Sequence, residues 1–573
     1  MRALFLSANV LSAIVLFVTA TAHAAEPIDD VKASIRSEIA DLAETRKAPG
    51  ISIALVADGK TLWAESFGYA DRTDKRPLTN ATRHAVGDLS KPFLALLAVR
   101  MAQAGTVDLD APVTRYLPDL KIAGGDPARL TLRLLLTHHS GLPPNQLAGM
   151  YRTAEEAGAS NELPQDALYF TQEPNVVYAY SNIGTELAAN VLEAAGKSPY
   201  PELLREKVLA PLGLTTAGFD SRDDDERGHR KGKTLGLTLA RERASLGLKA
   251  SLDDLARFAE HLTASDAADV APLYVDQGSA TPLDIDYRNG LAFSVFEDPR
   301  PAIGPIARLT SFYPGFRSRM DFVYGKRVVV IVLANSADAS ELVDDVVPKL
   351  RDAWFKATLG VAPREKDAVV PAHIDWPAGV TADKAAANYA TPAGLARMTP
   401  DEDGFDVRVL GLRLGAERRE DGWHRLHLRI LGIPFEFGFL KRVLVAPAIV
   451  DGRRVLMGWV PFQSFLLGSA WTPIEVPPQW QALAGRYRLT NPDKLTEELG
   501  VDGMRIDYAD GVLSANYALT SVPFVETRVP LEPDGERRLR VPGVGPLLGE
   551  HLDVQPGEHP RVTYSGYTFE KLP

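Results

Sequence analysis

Apolar residues at Ile28, Val31, Ile35, Ile39 and Leu42 recur every three to four positions, which predicts an amphipathic first helix. From Gly50 the period shortens. Gly50 to Ala57 and Leu62 to Tyr69 read as strands, joined at Asp58-Gly59, a pair that favours a two-residue hairpin turn. The next run, Phe93, Leu94, Leu96, Leu97, Val99 and Met101, predicts a helix that stops at Gly105, where glycine accepts left-handed backbone. Pro92 lies in its first turn, where the missing N–H costs nothing. A helical, loop-rich stretch follows to about residue 265. Strands are then predicted over Gly290 to Phe296, Arg308 to Phe312, Met320 to Tyr324 and Val328 to Ala334. Leu342, Val346, Val347, Leu350 and Trp354 mark a closing helix bent at Pro348. Terminal helices over an antiparallel sheet, with a helical insertion, make an α+β arrangement.

Beyond this domain (25–361) the pattern changes. Residues 362–379 carry Pro363, Pro371 and Pro377 with no period, and read as a linker. After it, Asp-Gly pairs at 403, 421, 451, 502, 510 and 534 punctuate short alternating segments such as Phe405 to Leu410. Turn signals at that density predict antiparallel β structure. Asn388-Tyr389 and Arg486-Tyr487 each open a segment, separated by a Pro-rich joint at Pro473 to Pro478. We read two small barrels or sandwiches, at 380–475 and 479–573.

Composition narrows the classes. A chain of 573 residues exceeds one core, and 45% hydrophobic with 24% charged residues is ordinary for a folded protein. A formal charge of −11 offers no basic excess for nucleic acid. No cysteine is present, which excludes disulfides and a cysteine nucleophile. Arg2, the apolar run Leu4 to Ala20 and Ala22-His23-Ala24 form a signal-peptide pattern over residues 1–24. The expected location is therefore a bacterial periplasm or the medium, with no stable membrane anchor once the segment is cut. No phosphate loop or zinc signature occurs, so neither cofactor nor metal is expected. Oligomeric state is not encoded in any of these patterns.

Chemistry concentrates at Gly87-Asp88-Leu89-Ser90-Lys91-Pro92. Asp88 and Lys91 are three apart, so one helical turn puts both on one face, while Ser90 points about 200° away from Asp88. The flanks run in order: Arg76-Pro-Leu-Thr, Val86-Gly-Asp-Leu-Ser-Lys-Pro-Phe, Ala104-Gly-Thr-Val-Asp-Leu-Asp-Ala-Pro-Val and Leu134-Leu-Leu-Thr-His-His-Ser-Gly-Leu-Pro. This series resembles the serine β-lactamase family, in particular class C β-lactamases, D,D-peptidases and related esterases. The resemblance implies a sheet domain beside an all-helical domain, with the site between them. It puts Asp88 where the nucleophilic serine belongs and Lys91 where its base belongs. Tyr180-Ser181-Asn182 resembles the family's Y-x-N motif, in which the tyrosine exchanges a proton and the asparagine donates to substrate and accepts from the lysine. Pro314-Gly315-Phe316 sets the register of a third motif at Leu309-Thr310-Ser311, where only Thr310 matches and the basic residue has become Leu309. A register slip of one would make Arg308 the cation. Some penicillin-recognising aminopeptidases and esterases likewise carry C-terminal barrels.

An aspartate is no substitute for serine in acyl transfer, since attack would give an anhydride, and its charge pairs with the ammonium that should act as base. The leading expectation is an exported protein of this fold without β-lactamase or D,D-peptidase activity, retaining a cleft for a small molecule or cell-wall fragment. The alternative is a hydrolase using Asp88 as a carboxylate catalyst, for instance on a glycosidic bond. That chemistry needs a second carboxylate, for which Asp220, Asp253 and Asp254 are available. A conventional serine hydrolase requires the motif register to be wrong.

Overall fold

The structure is a computed structural model. It describes residues 29–573 except 30, 34, 38, 40–47, 154–155, 157–161, 265–266, 279–280, 365–369, 372, 431–432, 436–439, 441, 462 and 519–525. The expected signal peptide, Ile28 and Leu42 lie outside the described residues. No described helix is long and apolar enough to cross a membrane.

The first domain is built on an antiparallel eight-stranded sheet. Within it Gly50–Ala57 runs between Val328–Ala334 and Lys60–Asp71. Asp58 and Gly59 both take positive φ, as the hairpin turn requires. The central strands GISIALVA and VVVIVLA are buried along their whole length, because both faces are covered. Alternate residues serve the two layers. Ile51, Ile53, Leu55, Val330 and Val332 pack against Ile35, Ile39, Leu342, Val346 and Leu350 of the terminal helices. Ala54, Val56, Val329 and Ile331 face Phe93, Leu96, Leu255 and Phe258 on the helical side. Ser340–Leu359 runs helically through Pro348.

Two predicted strands differ from those observed. Gly290 to Phe293 are not strand, because Leu291, Ala292 and Phe293 donate to the carbonyls of Pro272 and Leu273 instead, leaving Ser294–Phe296. The strand expected to end at Tyr324 is Phe316–Val323, and Tyr324 opens a tight turn. A buried network pins these strands to the closing helix: Asp321 accepts from Arg308, Arg319 and Arg351 at 2.8–3.0 Å. Burial opposes ionisation there, yet three guanidiniums hold the Asp321 carboxyl far below the usual range.

The second half is two closed antiparallel barrels. Ala387–Thr391 pairs with both Gly394–Asp401 and Gln463–Trp471, which closes the first. Gly485–Leu489 pairs with both Gly503–Ala509 and Tyr567–Lys571, which closes the second. Closure joins the first and last strands of each barrel, which removes the open edges a flat sheet would leave there. The expected linker is not free: Trp376 Nε1 donates to Asp421 O at 2.7 Å, and Ile374 packs with Trp423 and Trp459 on the first barrel.

Candidate functional site

A short 3-10 turn, Gly87–Ser90, leads into the Lys91–Gln103 helix. Gly87 has φ 55°, and a Cβ there would sit 2.2 Å from Ser311 Oγ, so glycine lets this turn abut the strand Ile306–Tyr313. Ser294–Phe296 covers that strand only from Ile306 to Arg308, which leaves its later edge facing residue 88. Lys91 Nζ lies 2.6 Å from Asp88 Oδ1 and 2.8 Å from Tyr180 Oη, and donates more weakly to Ser245 O at 3.4 Å. Asp88 and Lys91 are both buried. Ser90 Oγ donates to Gly87 O and accepts from Leu248 N, turned away from this cluster.

Tyr180 and Asn182 come from the start of the Asn182–Gly196 helix, capped by Ser181 Oγ accepting from Gly184 N at 2.8 Å. The Tyr180 phenol has one proton. It points to Asp88 Oδ1 at 2.5 Å, a stronger acceptor than Asn182 Oδ1 at 2.8 Å. Asn182 does not accept from Lys91, contrary to the role the resemblance implies; its Nδ2 donates to Asn145 Oδ1 at 2.8 Å. His138 Nδ1 accepts from Ser181 N at 3.2 Å, and its ring lies 4.7 Å from that of Tyr180.

Of the third motif, Ser311 alone reaches the cluster. Its Oγ accepts from Asp88 N at 2.9 Å, while Phe312 N donates to Asp88 Oδ2 at 3.4 Å. Leu309 packs against the helical core, and Thr310 alternates to the opposite face, where it is paired in register with Arg319. The backbone N–H groups of residues 88 and 312 are thus both engaged within the protein.

The β-lactamase family profile matches residues 35–353. The chain belongs to the β-lactamase family. Among curated relatives, penicillin-binding protein 4* of Bacillus subtilis is 32% identical over 177 residues, 30% of this chain and 38% of that protein. The β-lactamase of Escherichia coli is 27% identical over 259 residues, 43% of this chain and 64% of its own length. The chain therefore spans less than two thirds of either relative. The octameric penicillin-binding protein homologue from Pyrococcus abyssi shares the fold, with TM-score 0.50 and 20% identity over 74% of this chain and 97% of that one.

In this β-lactamase-family protein the Asp88–Lys91 pair is shielded by burial. Burial and then the Asp88 charge push the Tyr180 phenol well above its ordinary range, so it stays protonated and donates. Burial, reinforced by Lys91, lowers His138 to about 3, which matches a neutral ring that accepts at Nδ1. Behind Lys91, burial and nearby Glu242 raise Glu186 to about 8; Ser245 N donates to it at 2.8 Å.

The other sequence candidates are engaged elsewhere. Arg308 lies against Asp321, so a register slip does not bring it to Asp88. Asp220 binds Arg83 and Arg222, Asp254 accepts from the backbone of Thr215, Thr216 and Ala217, and Asp253 is exposed on a first helical turn. None contacts Asp88. Among the described residues no group of three His, Cys, Asp or Glu side chains converges on a metal-sized site.

Sequence reasoning missed Asn145, Ser245 and the obstruction by Ser311. It also missed that both barrels support the motif loops. Val177, just before the Tyr180 loop, packs with Leu444 and Trp459 of the first barrel. Ser565 of the second barrel accepts from Leu147 N at 2.8 Å and donates to Asn145 O at 3.0 Å. No local signal marks such contacts.

Proposed function

We propose that this protein is an exported member of the β-lactamase family that has lost serine acyl transfer and keeps its cleft for a small molecule or cell-wall fragment. One observation carries the reading. Residue 88, where the resemblance puts the nucleophile, is an aspartate whose carboxylate is already matched by Lys91, Tyr180 and Phe312 N–H, while Ser311 takes the N–H of residue 88 itself. An oxyanion formed on a substrate would find both donors occupied. The neutral, half-buried phenol of Tyr180 supports the same reading, since it serves as donor to Asp88 rather than as a base. Export rests on the pattern over residues 1–24, and a secreted form beginning at Ala25 by N-terminal sequencing is its check.

Intact mass after exposure to a penicillin, an activated ester and a fluorophosphonate tests the loss of chemistry. The mass is expected to stay unchanged with all three. A stoichiometric adduct on the wild-type chain overturns the proposal.

A further inference from the structure

The second barrel is not packed solid. It holds a cavity of about 270 Å³, walled by Met504, Ala515, Val529, Leu531, Leu552 and Phe569 from its strands and also lined by Leu147 of the first domain and by Thr391 and Pro392 of the first barrel. Leu495 and Leu499, from the short Lys494–Leu499 helix, line it together with Leu547, which is 50% exposed. The volume falls just under the range of about 300–1,000 Å³ that holds drug-sized ligands, so a slender occupant fits.

The wall carries one acid. Glu550 is buried, and its sole side-chain hydrogen bond among the described residues comes from Tyr564 Oη at 3.1 Å. Among the described residues no Lys, Arg or His pairs with it. The second phenol of the wall, Tyr567, already donates to Asp493, at 2.8 and 2.9 Å to its two oxygens. Tyr169 of the first domain, stacked on His551, lies close enough for Glu550 to raise its phenol further. A carboxyl with one neutral partner in apolar surroundings is costly to ionise, and burial lifts Glu550 to about 7. An incoming cation with N–H groups supplies the missing charge and donors together. An incoming carboxylate sets like against like.

We propose that the second barrel binds a small apolar amine, with its hydrocarbon part in the cavity and its ammonium on Glu550. The test is calorimetric titration of the full chain at pH 7 with n-heptylamine, n-heptanol and n-heptanoate. The amine is expected to bind about tenfold or more tighter than the alcohol, with the carboxylate weakest. Glu550→Gln should bring the amine down to the affinity of the alcohol while leaving alcohol binding unchanged. Ala515→Phe, which fills the cavity, should abolish binding of all three; if that variant does not fold, the Glu550→Gln comparison decides alone. Absence of binding by every probe, an amine no tighter than the alcohol, or an amine preference that survives Glu550→Gln would each overturn the proposal.

Discussion

The pocket of Asp88 and the cavity of the second barrel pose opposite electrostatic situations. Both bury a carboxyl beside a tyrosine. Around Asp88, each oxygen and the residue's own N–H has a partner in the protein, including an ammonium at 2.6 Å. Around Glu550, among the described residues, one phenol donates and no cation pairs. A saturated carboxylate has no donor left to offer a transition state, whereas an unsaturated one gains by accepting a donor. Family membership alone would direct attention to the first of these. Polar accounting directs it to the second.

The sharpest way to break this contrast is to reopen the first pocket. Asp88→Ser frees Phe312 N–H and restores Ser-x-x-Lys beside Tyr180, but Ser311 still holds the N–H of residue 88. The single variant is expected to label slowly with a fluorophosphonate. Adding Ser311→Gly should speed labelling about 100-fold, the worth of one oxyanion donor. Equal rates for the single and double variants would show that Ser311 does not obstruct.

Next in size is the ion pair. Asp88→Ala leaves Lys91 buried without its counter-charge and should destabilise by about 3–4 kcal/mol in chemical denaturation. Asp88→Asn keeps an acceptor and should cost less. Unchanged midpoints for both would remove the pair from the account.

The unsaturated carboxyl makes a pH-dependent counterpart. Glu550 sits at about 7 in the folded state against 4.5 for the free side chain, so between those values the folded state holds a proton that the unfolded state has lost. Its contribution is fully present below pH 4.5 and falls as pH rises through about 7. The stability of wild type relative to Glu550→Gln should therefore drop by about 3 kcal/mol across that window. A flat difference would mean that Glu550 is solvated.

The smallest effect joins the two regions. Ser565→Ala removes both bonds from the second barrel to the Asn145–Leu147 loop and should cost about 1–2 kcal/mol. If the loop holds Asn182, the same substitution should alter the labelling rate of the Asp88→Ser background. No change in either quantity would make the contact incidental.

Much of the fold was legible because its determinants are local. Asp58-Gly59 selected the hairpin turn, the continuous apolar runs marked strands buried on both faces, and Gly105 ended the Lys91–Gln103 helix at φ 71°. The i, i+3 spacing was enough to bring Asp88 to Lys91, and the resemblance was enough to bring Tyr180 there. The third motif was harder. Its register was readable from Pro314-Gly315-Phe316, but strand alternation sent Thr310 away from the cluster and Ser311 into it.

What the sequence determined by itself, then, was the family, the order of elements, the aspartate at residue 88 and the change to β structure after the linker. Each depends on residues a few positions apart, where turn chemistry and periodicity act. Only the tertiary structure decided how the Asp88 carboxylate is satisfied, because Ser311 lies 223 residues away and its hydroxyl arrives through sheet packing. Only barrel closure decided that Glu550 would face an apolar cavity, since that depends on which strands meet at Gly485–Leu489 and Tyr567–Lys571. Burial sets the energy of a charge, and burial is a property of the assembled fold.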